Sequence, residues 1–173
     1  MNNKVLVIMG SDSDLPVLMP AFEFFDKMAV EYEVHISSAH RLPEKTAELA
    51  RMAEANGFGV IIGAAGGAAH LPGVLAALTV LPVIGIPIKS ETLLGLDSLY
   101  SIVQMPSGIP VATVAINGSK NAAILASQIL AVADSDLRER LRIFKSEMAE
   151  QVEAKDVKLN KLGVNEYLKS KKQ

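Results

Sequence analysis

Val5-Leu6-Val7-Ile8-Met9-Gly10-Ser11-Asp12-Ser13-Asp14 runs from continuous apolar, β-favouring residues straight into a glycine turn and small polar residues. An unbroken apolar run this short predicts a strand buried on both faces, as in a parallel sheet. Leu15, Leu18, Met19, Phe22 and Phe25 then recur at helical spacing. Pro16 suits a first helical turn, whereas Pro20 predicts a kink or a late start. A buried strand, a Gly turn and an amphipathic helix form the opening of a βα unit.

The same alternation continues outward. Val30, Tyr32, Val34 and Ile36 alternate with polar residues, which predicts a strand with one solvated face at a sheet edge. Pro43 opens a helix that Asn56-Gly57 closes. Val60–Ile62, Val83–Ile86 and Val111–Val114 read as three further strands, with a mixed loop and helix from Leu94 to Met105. The pattern predicts an α/β chain with a parallel sheet covered on both faces. It shows no repeats, low-complexity tracts or linkers, so residues 1–173 read as one domain. Its core would span 4–134, with a C-terminal helical extension over 135–162 and a polar tail over 163–173.

Two late segments bear on assembly. Asn121 to Ala133 is almost wholly apolar, which predicts a helix buried on nearly every side. Asp134-Ser135-Asp136 offers a helix cap, and Leu137, Leu141, Phe144, Met148 and Val152 line one stripe after it. That stripe can pack on its own domain or on a neighbouring subunit. From Lys155 the chain is Lys-rich, as a solvated helix end or a disordered tail would be.

Composition removes several classes of function. Lys and Arg total 17 against 19 Asp and Glu, a net charge of −2, which gives no electrostatic case for nucleic acid or an anionic membrane. The absence of Cys removes disulfides, thiolate nucleophiles and Cys-based metal sites. The three His are not at metal-ligand spacing. Half the residues are hydrophobic, high enough to suggest apolar surface buried between subunits. The first apolar run is too short for a signal-peptide core or a membrane span, so a soluble cytoplasmic protein is expected.

Candidate chemistry gathers where strands end. Ser37-Ser38-Ala39-His40-Arg41-Leu42-Pro43 joins the second strand to a helix, where parallel sheets place ligands. Arg41 offers a planar fork for phosphate, and His40 can move a proton near neutral pH. Together they point to acid–base chemistry on a phosphorylated small molecule. In Gly10–Asp14, free backbone N–H groups and Ser11 suit an anion, and an Asp suits ribose hydroxyls; equally, Ser13 or Asp14 caps the helix. Gly66-Gly67-Ala68-Ala69-His70-Leu71-Pro72-Gly73 is a small-residue loop that lets a ligand approach the backbone, or lets helix and strand pack tightly. It lacks a dinucleotide fingerprint. His70 alone reads as a cap or a satisfied polar group, and His35 as structural.

These segments, together with Asp97–Pro106 and Gly108–Thr113 in the same order, resemble the N5-carboxyaminoimidazole ribonucleotide mutase family of purine biosynthesis, PurE class I. The likeness is close over residues 4 to about 134 and looser in the C-terminal helix. It implies a flavodoxin-like three-layer α/β/α sandwich on a five-stranded parallel sheet, assembled as a homo-octamer with its pockets near subunit contacts. It implies an isomerase that moves a carboxyl from N5 to C4 of the aminoimidazole by decarboxylation and recarboxylation. No metal, nucleotide or organic cofactor is implied. Carried over by position, His40 is the acid–base residue, Ser11, Ser38 and Arg41 hold the phosphate, and Asp14 binds the ribose. Gly66, Gly67, Ala68, His70 and Leu71 wrap base and carboxylate, with His70 shaping the pocket. A second branch carboxylates aminoimidazole ribonucleotide directly and commonly has Lys at the place of Arg41, so Arg41 favours the mutase branch. Much of the family has Gly where this chain has Ala64, a change that bears on any role needing positive φ there.

Two other readings compete. A flavin- or nucleotide-binding module without catalysis would need aromatic residues beside its ligand, and the chain has no Trp and few aromatics near these loops. A signalling receiver domain would need an acceptor Asp after the third strand, where Gly63-Ala64-Ala65 stands instead.

Overall fold

The computed structural model describes residues 3–171. Met1 and Asn2, and Lys172 and Gln173 at the end of the expected polar tail, lie outside the described residues. Strand β1 (Lys4–Met9) passes through a 3-10 turn at Asp12–Asp14 into α1 (Leu15–Met28). Next come β2 (Tyr32–Ile36), α2 (Pro43–Met52), β3 (Phe58–Gly66) and α3 (Leu71–Ala77). Then follow β4 (Val83–Ile88), α4 (Leu96–Val103), β5 (Ala112–Thr113), α5 (Ser119–Leu130) and α6 (Ser135–Ser170). The strands form one parallel sheet in the order β2-β1-β3-β4-β5. This is the flavodoxin-like order, with β2 at the edge as its alternation requires.

Period-two geometry divides the core. Val5, Val7 and Met9 face one layer, with Leu18, Phe22 and Phe25 of α1 and Ala122, Ala123 and Ala126 of α5. Leu6 and Ile8 face the other, with Ala50 of α2, Leu75 of α3 and Ile102 of α4. Full burial of a side chain such as Phe25 contributes about 1.5–3 kcal/mol.

Several elements depart from expectation. Helix α1 starts at Leu15 and runs through Pro20. Pro20 lies close enough to the N-terminus that its missing N–H forfeits only one bond, towards Pro16. Strand β3 extends to Gly66 rather than ending at Ile62, so Gly63-Ala64-Ala65 belongs to the sheet and not to the loop. Small residues there carry no period, yet they pair in register with β4, Gly63 beside Gly85 and Ala64 beside Ile86. The two glycines make room for the helices: a Cβ on Gly85 would lie 2.4 Å from Ile102 Cγ2, and one on Gly63 would lie 3.2 Å from Pro72 and Leu75. Ala64 sits in this regular strand, fully buried and without positive φ, so Ala serves there as well as Gly.

Helix α5 is not buried on nearly every side. Ala122, Ala123, Ala126 and Leu130 are covered, Ile124, Leu125 and Ile129 are half-buried, and Val132 beyond its end is 78% exposed. In α6, Asp134 caps the first turn by accepting from the Asp136 and Leu137 amides at 3.0 and 2.9 Å. Leu137, Leu141 and Phe144 are buried in the chain's own core, with Phe144 edge-on to Phe24. Met148 and Val152, on the same stripe, are exposed. The stripe therefore serves its own domain first. Helix continues to Ser170, with a break in helical geometry at Gly163 (φ 73°, ψ 163°).

Candidate active site

The order of the sheet reverses at β1, whose neighbours β2 and β3 lie on either side. A crevice opens outside the carboxyl ends of these strands, as the topology dictates. Its cavity of about 400 Å³ lies among the β1–α1, β2–α2 and β3–α3 loops.

Each loop is set by local chemistry. After β1, the Gly10 amide donates to the Ala64 carbonyl at 3.2 Å, and Ser11 turns out in extended geometry. Ser11 Oγ accepts from the Ser13 amide at 3.3 Å and from the Ser13 hydroxyl at 2.9 Å, so Ser11 caps the 3-10 turn. After β2, the Ser37 and Thr46 hydroxyls share a fully buried 2.8 Å hydrogen bond that ties the loop to α2. The Arg41 and Leu42 amides donate to the Ser38 carbonyl at 3.2 and 2.8 Å, closing a turn that aims His40 and Arg41 outward. After β3, Gly67 takes φ +63°, a backbone state that favours glycine.

Of the residues expected in the site, Ser11, Ser38, His40, Arg41, Gly66, Ala68, His70 and Leu71 line the cavity, and Asp14 and Gly67 do not. Gly10, Ala39, Ala65 and Ala69 line it too. Gly10, Ala39 and Ala69 lie inside the three motifs quoted above, and Ala65 directly precedes the third, so their signal is position rather than side-chain chemistry.

Two contacts tie the loops together. Arg41 Nη2 donates to the Gly10 carbonyl at 3.3 Å. Among the described residues no carboxylate pairs with Arg41, which leaves the rest of its fork for a ligand anion. His40 Nε2 lies 2.8 Å from His70 Nδ1, with the rings edge to face. The His70 side chain caps nothing, and its backbone carbonyl accepts from Val74 at the start of α3. His35 instead pairs with Glu33 at 2.7 Å on the edge strand, away from the cavity. Among the described residues no group of three or more His, Asp or Glu could hold a metal ion.

Asp14 does not cap α1 and is only 8% exposed. Burial pushes its carboxyl above the usual value near 3.8, and hydrogen bonds from the Ser11–Ser13 turn offset this only in part. A carboxyl raised by folding weakens the protein once it ionises. The penalty is absent below the ordinary carboxylate value and grows as pH rises through the raised one. Asp14→Asn should therefore raise the melting temperature of the free protein at neutral pH, with the gain vanishing below about pH 4. Thermal melts across pH measure this, and a gain independent of pH would place its cause outside Asp14 ionisation.

The sequence matches the family described as AIR carboxylase over residues 4–151. An N5-carboxyaminoimidazole ribonucleotide mutase from Pyrococcus horikoshii is 57% identical over 162 residues, covering 94% of this chain and 92% of that protein. One from Thermotoga maritima is 52% identical over 168 residues, covering 97% and 98%. The crystal structure of Treponema denticola PurE matches with a TM-score of 0.82 at 29% identity, covering 90% of this chain and 97% of that one.

Proposed function

The chain belongs to the AIR carboxylase family, and from that premise we propose that its pocket carries out the mutase reaction for which its relatives are named. It is an isomerase of purine synthesis. The carboxyl of N5-carboxyaminoimidazole ribonucleotide leaves the exocyclic nitrogen and returns to C4, giving 4-carboxy-5-aminoimidazole ribonucleotide.

One observation carries the assignment of roles: a single turn presents Arg41 to the Gly10–Ser11 loop and His40 to the Gly66–Leu71 loop. Phosphate and reacting base are thus read from adjacent residues. Arg41, Ser11 and Ser38 hold the phosphate, and Asp14 takes the ribose hydroxyls. His40 gives a proton to the amine nitrogen as carbon dioxide leaves, and later removes the proton from C4. Electron density for the transfer comes from the aminoimidazole, so no cofactor is called on. Ala65, Ala68, Ala69 and Leu71 make an apolar wall where carbon dioxide can wait beside the ring, so that its recapture is effectively intramolecular.

The flavin-binding alternative is disfavoured by the wall itself, which among the described residues carries no aromatic ring besides the two imidazoles. The direct carboxylase alternative is separated by assay. The purified protein should convert the N5-carboxylated substrate at the same rate with and without bicarbonate. Turnover of unmodified aminoimidazole ribonucleotide that rises with bicarbonate, with none of the N5-carboxylated substrate, would assign it to the carboxylase branch.

The reaction needs water kept out, yet His40, Arg41, Gly66, Ala68 and His70 are exposed in one chain. Apolar surface is left open as well: Leu42 beside the pocket turn, Leu94, Tyr100 and Val103 around α4, and Val132 after α5. We place the enzyme in the cytoplasm as a closed homo-octamer whose pockets lie near subunit contacts. Sedimentation at micromolar concentration should give about eight times 18.4 kDa, and a stable, active monomer would overturn this. Deleting α6 is the wrong test of assembly, because Leu137, Leu141 and Phe144 belong to the domain core.

A further inference from the structure

We propose that His70 is the positioning residue that dedicates one nitrogen of His40 to proton transfer, an inference that rests on the mutase reading of the pocket. The 2.8 Å contact commits His40 Nε2 and His70 Nδ1 to each other. Neither His40 Nδ1 nor His70 Nε2 has a hydrogen-bond partner among the described residues. One shared proton lies between the rings, so the two rings act as a pair rather than as two independent bases.

The roles follow from proton count. With His70 protonated at Nε2, its Nδ1 is an acceptor and receives the Nε2–H of His40. His40 then keeps its Nε2 proton throughout, and only Nδ1 gains or loses one. In the singly charged pair, His40 carries protons on both nitrogens. Nδ1–H passes its proton to the amine nitrogen as the N–carboxyl bond breaks, and the pair becomes neutral. Nδ1 is then bare and acts as the base. After carbon dioxide joins C4, Nδ1 takes the proton from that carbon, and the pair regains its charge. Protons balance over the cycle, and no other carrier is needed.

The surroundings fit a pair that bears one charge at a time. Among the described residues, Arg41, on the same turn, is the only other ionisable side chain lining the cavity, and from the β3–α3 loop the only titratable lining group is His70. Among the described residues no carboxylate lines the cavity to hold a second imidazolium. An acceptor on an imidazole N–H favours the cation of that ring, so removing the His70 ring acts on the proton-donating form.

The test uses the full-length assembled enzyme. His70→Ala removes the acceptor, whereas His70→Asn places an amide oxygen near the position of Nδ1. For His70→Ala, kcat should fall about 10-fold or more while KM changes less than about 3-fold. The alkaline limb of its pH–kcat profile should move to lower pH, because the active form carries the protonated His40. His70→Asn should recover most of kcat and return the limb towards the native position. Equal losses in both variants with an unmoved pH profile, or a loss carried by KM, would make His70 a wall of the pocket and overturn the proposal. Nitrogen-15 shifts of the imidazoles in the free native enzyme give a readout independent of turnover. They should show His40 protonated at Nε2 and His70 at Nε2; His40 protonated at Nδ1 alone would overturn the tautomer assignment. A protein without mutase activity but with these shifts would sink the functional reading and leave the pair standing.

Discussion

His40→Asn should bind the ribonucleotide within a few-fold of the native enzyme and turn it over about 10²–10⁴-fold more slowly. The amide fills the place of the ring near His70 but cannot take up and release a proton at the pocket. Affinity should survive because the proposed phosphate ligands, Arg41, Ser11 and Ser38, sit on loops that do not depend on the His40 side chain. The Arg41 fork is fixed to the Gly10 carbonyl, and the turn is closed by amides donating to Ser38. Equilibrium binding of the ribonucleotide, set beside steady-state turnover, measures both. A group that acts only in the transition state lowers kcat and kcat/KM together. Near-normal turnover in this variant would remove His40 from the proton steps. A loss confined to KM would make it a binding residue.

The parts of this site that could be read from sequence are those in which neighbours in the chain are neighbours in space. His40 and Arg41 share one turn, and the strand before and the helix after announce where that turn must lie. The flanking strands were equally plain: β1 is continuously apolar because both its faces are covered, and β2 alternates because it is an edge. What sequence could not show involves residues far apart in the chain. His40 and His70 are thirty positions apart, and nothing in either motif says that their rings meet. The end of β3 was hidden for a different reason. Gly63, Ala64 and Ala65 have almost no side chains with which to mark an inside and an outside, and only pairing with β1 and β4 makes them strand. The α6 stripe failed halfway along its length. Periodicity identifies a helix face but not what covers it, so Leu137 and Phe144 in the core and Val152 in the open read alike. Asp14 reads from sequence as either cap or ligand; its buried carboxyl does not cap α1, accepts from the Ser13 hydroxyl at 3.4 Å and does not line the cavity.

Arg41→Ala should weaken binding of the ribonucleotide by about 2 kcal/mol or more, roughly 30-fold, while the matching nucleoside is affected little. The difference arises because only the ribonucleotide presents a phosphate to the guanidinium. The side chain also donates to the Gly10 carbonyl, and this second job sets up the opposing outcome. If the bond to Gly10 were its whole role, removing it would loosen the β1 loop, and nucleoside and ribonucleotide would lose affinity equally. Arg41→Lys separates charge from geometry. Lysine keeps the positive charge but is a point donor without a fork, so it should recover part of the phosphate preference and not all of it. Titrating both ligands into the three proteins at two salt concentrations completes the argument. A phosphate held through charge loses affinity as salt rises, and that salt dependence should shrink in Arg41→Ala while persisting in Arg41→Lys. A salt dependence that survives in Arg41→Ala would place the phosphate against another cation, and the turn that carries His40 would then have to be read the other way round in the pocket.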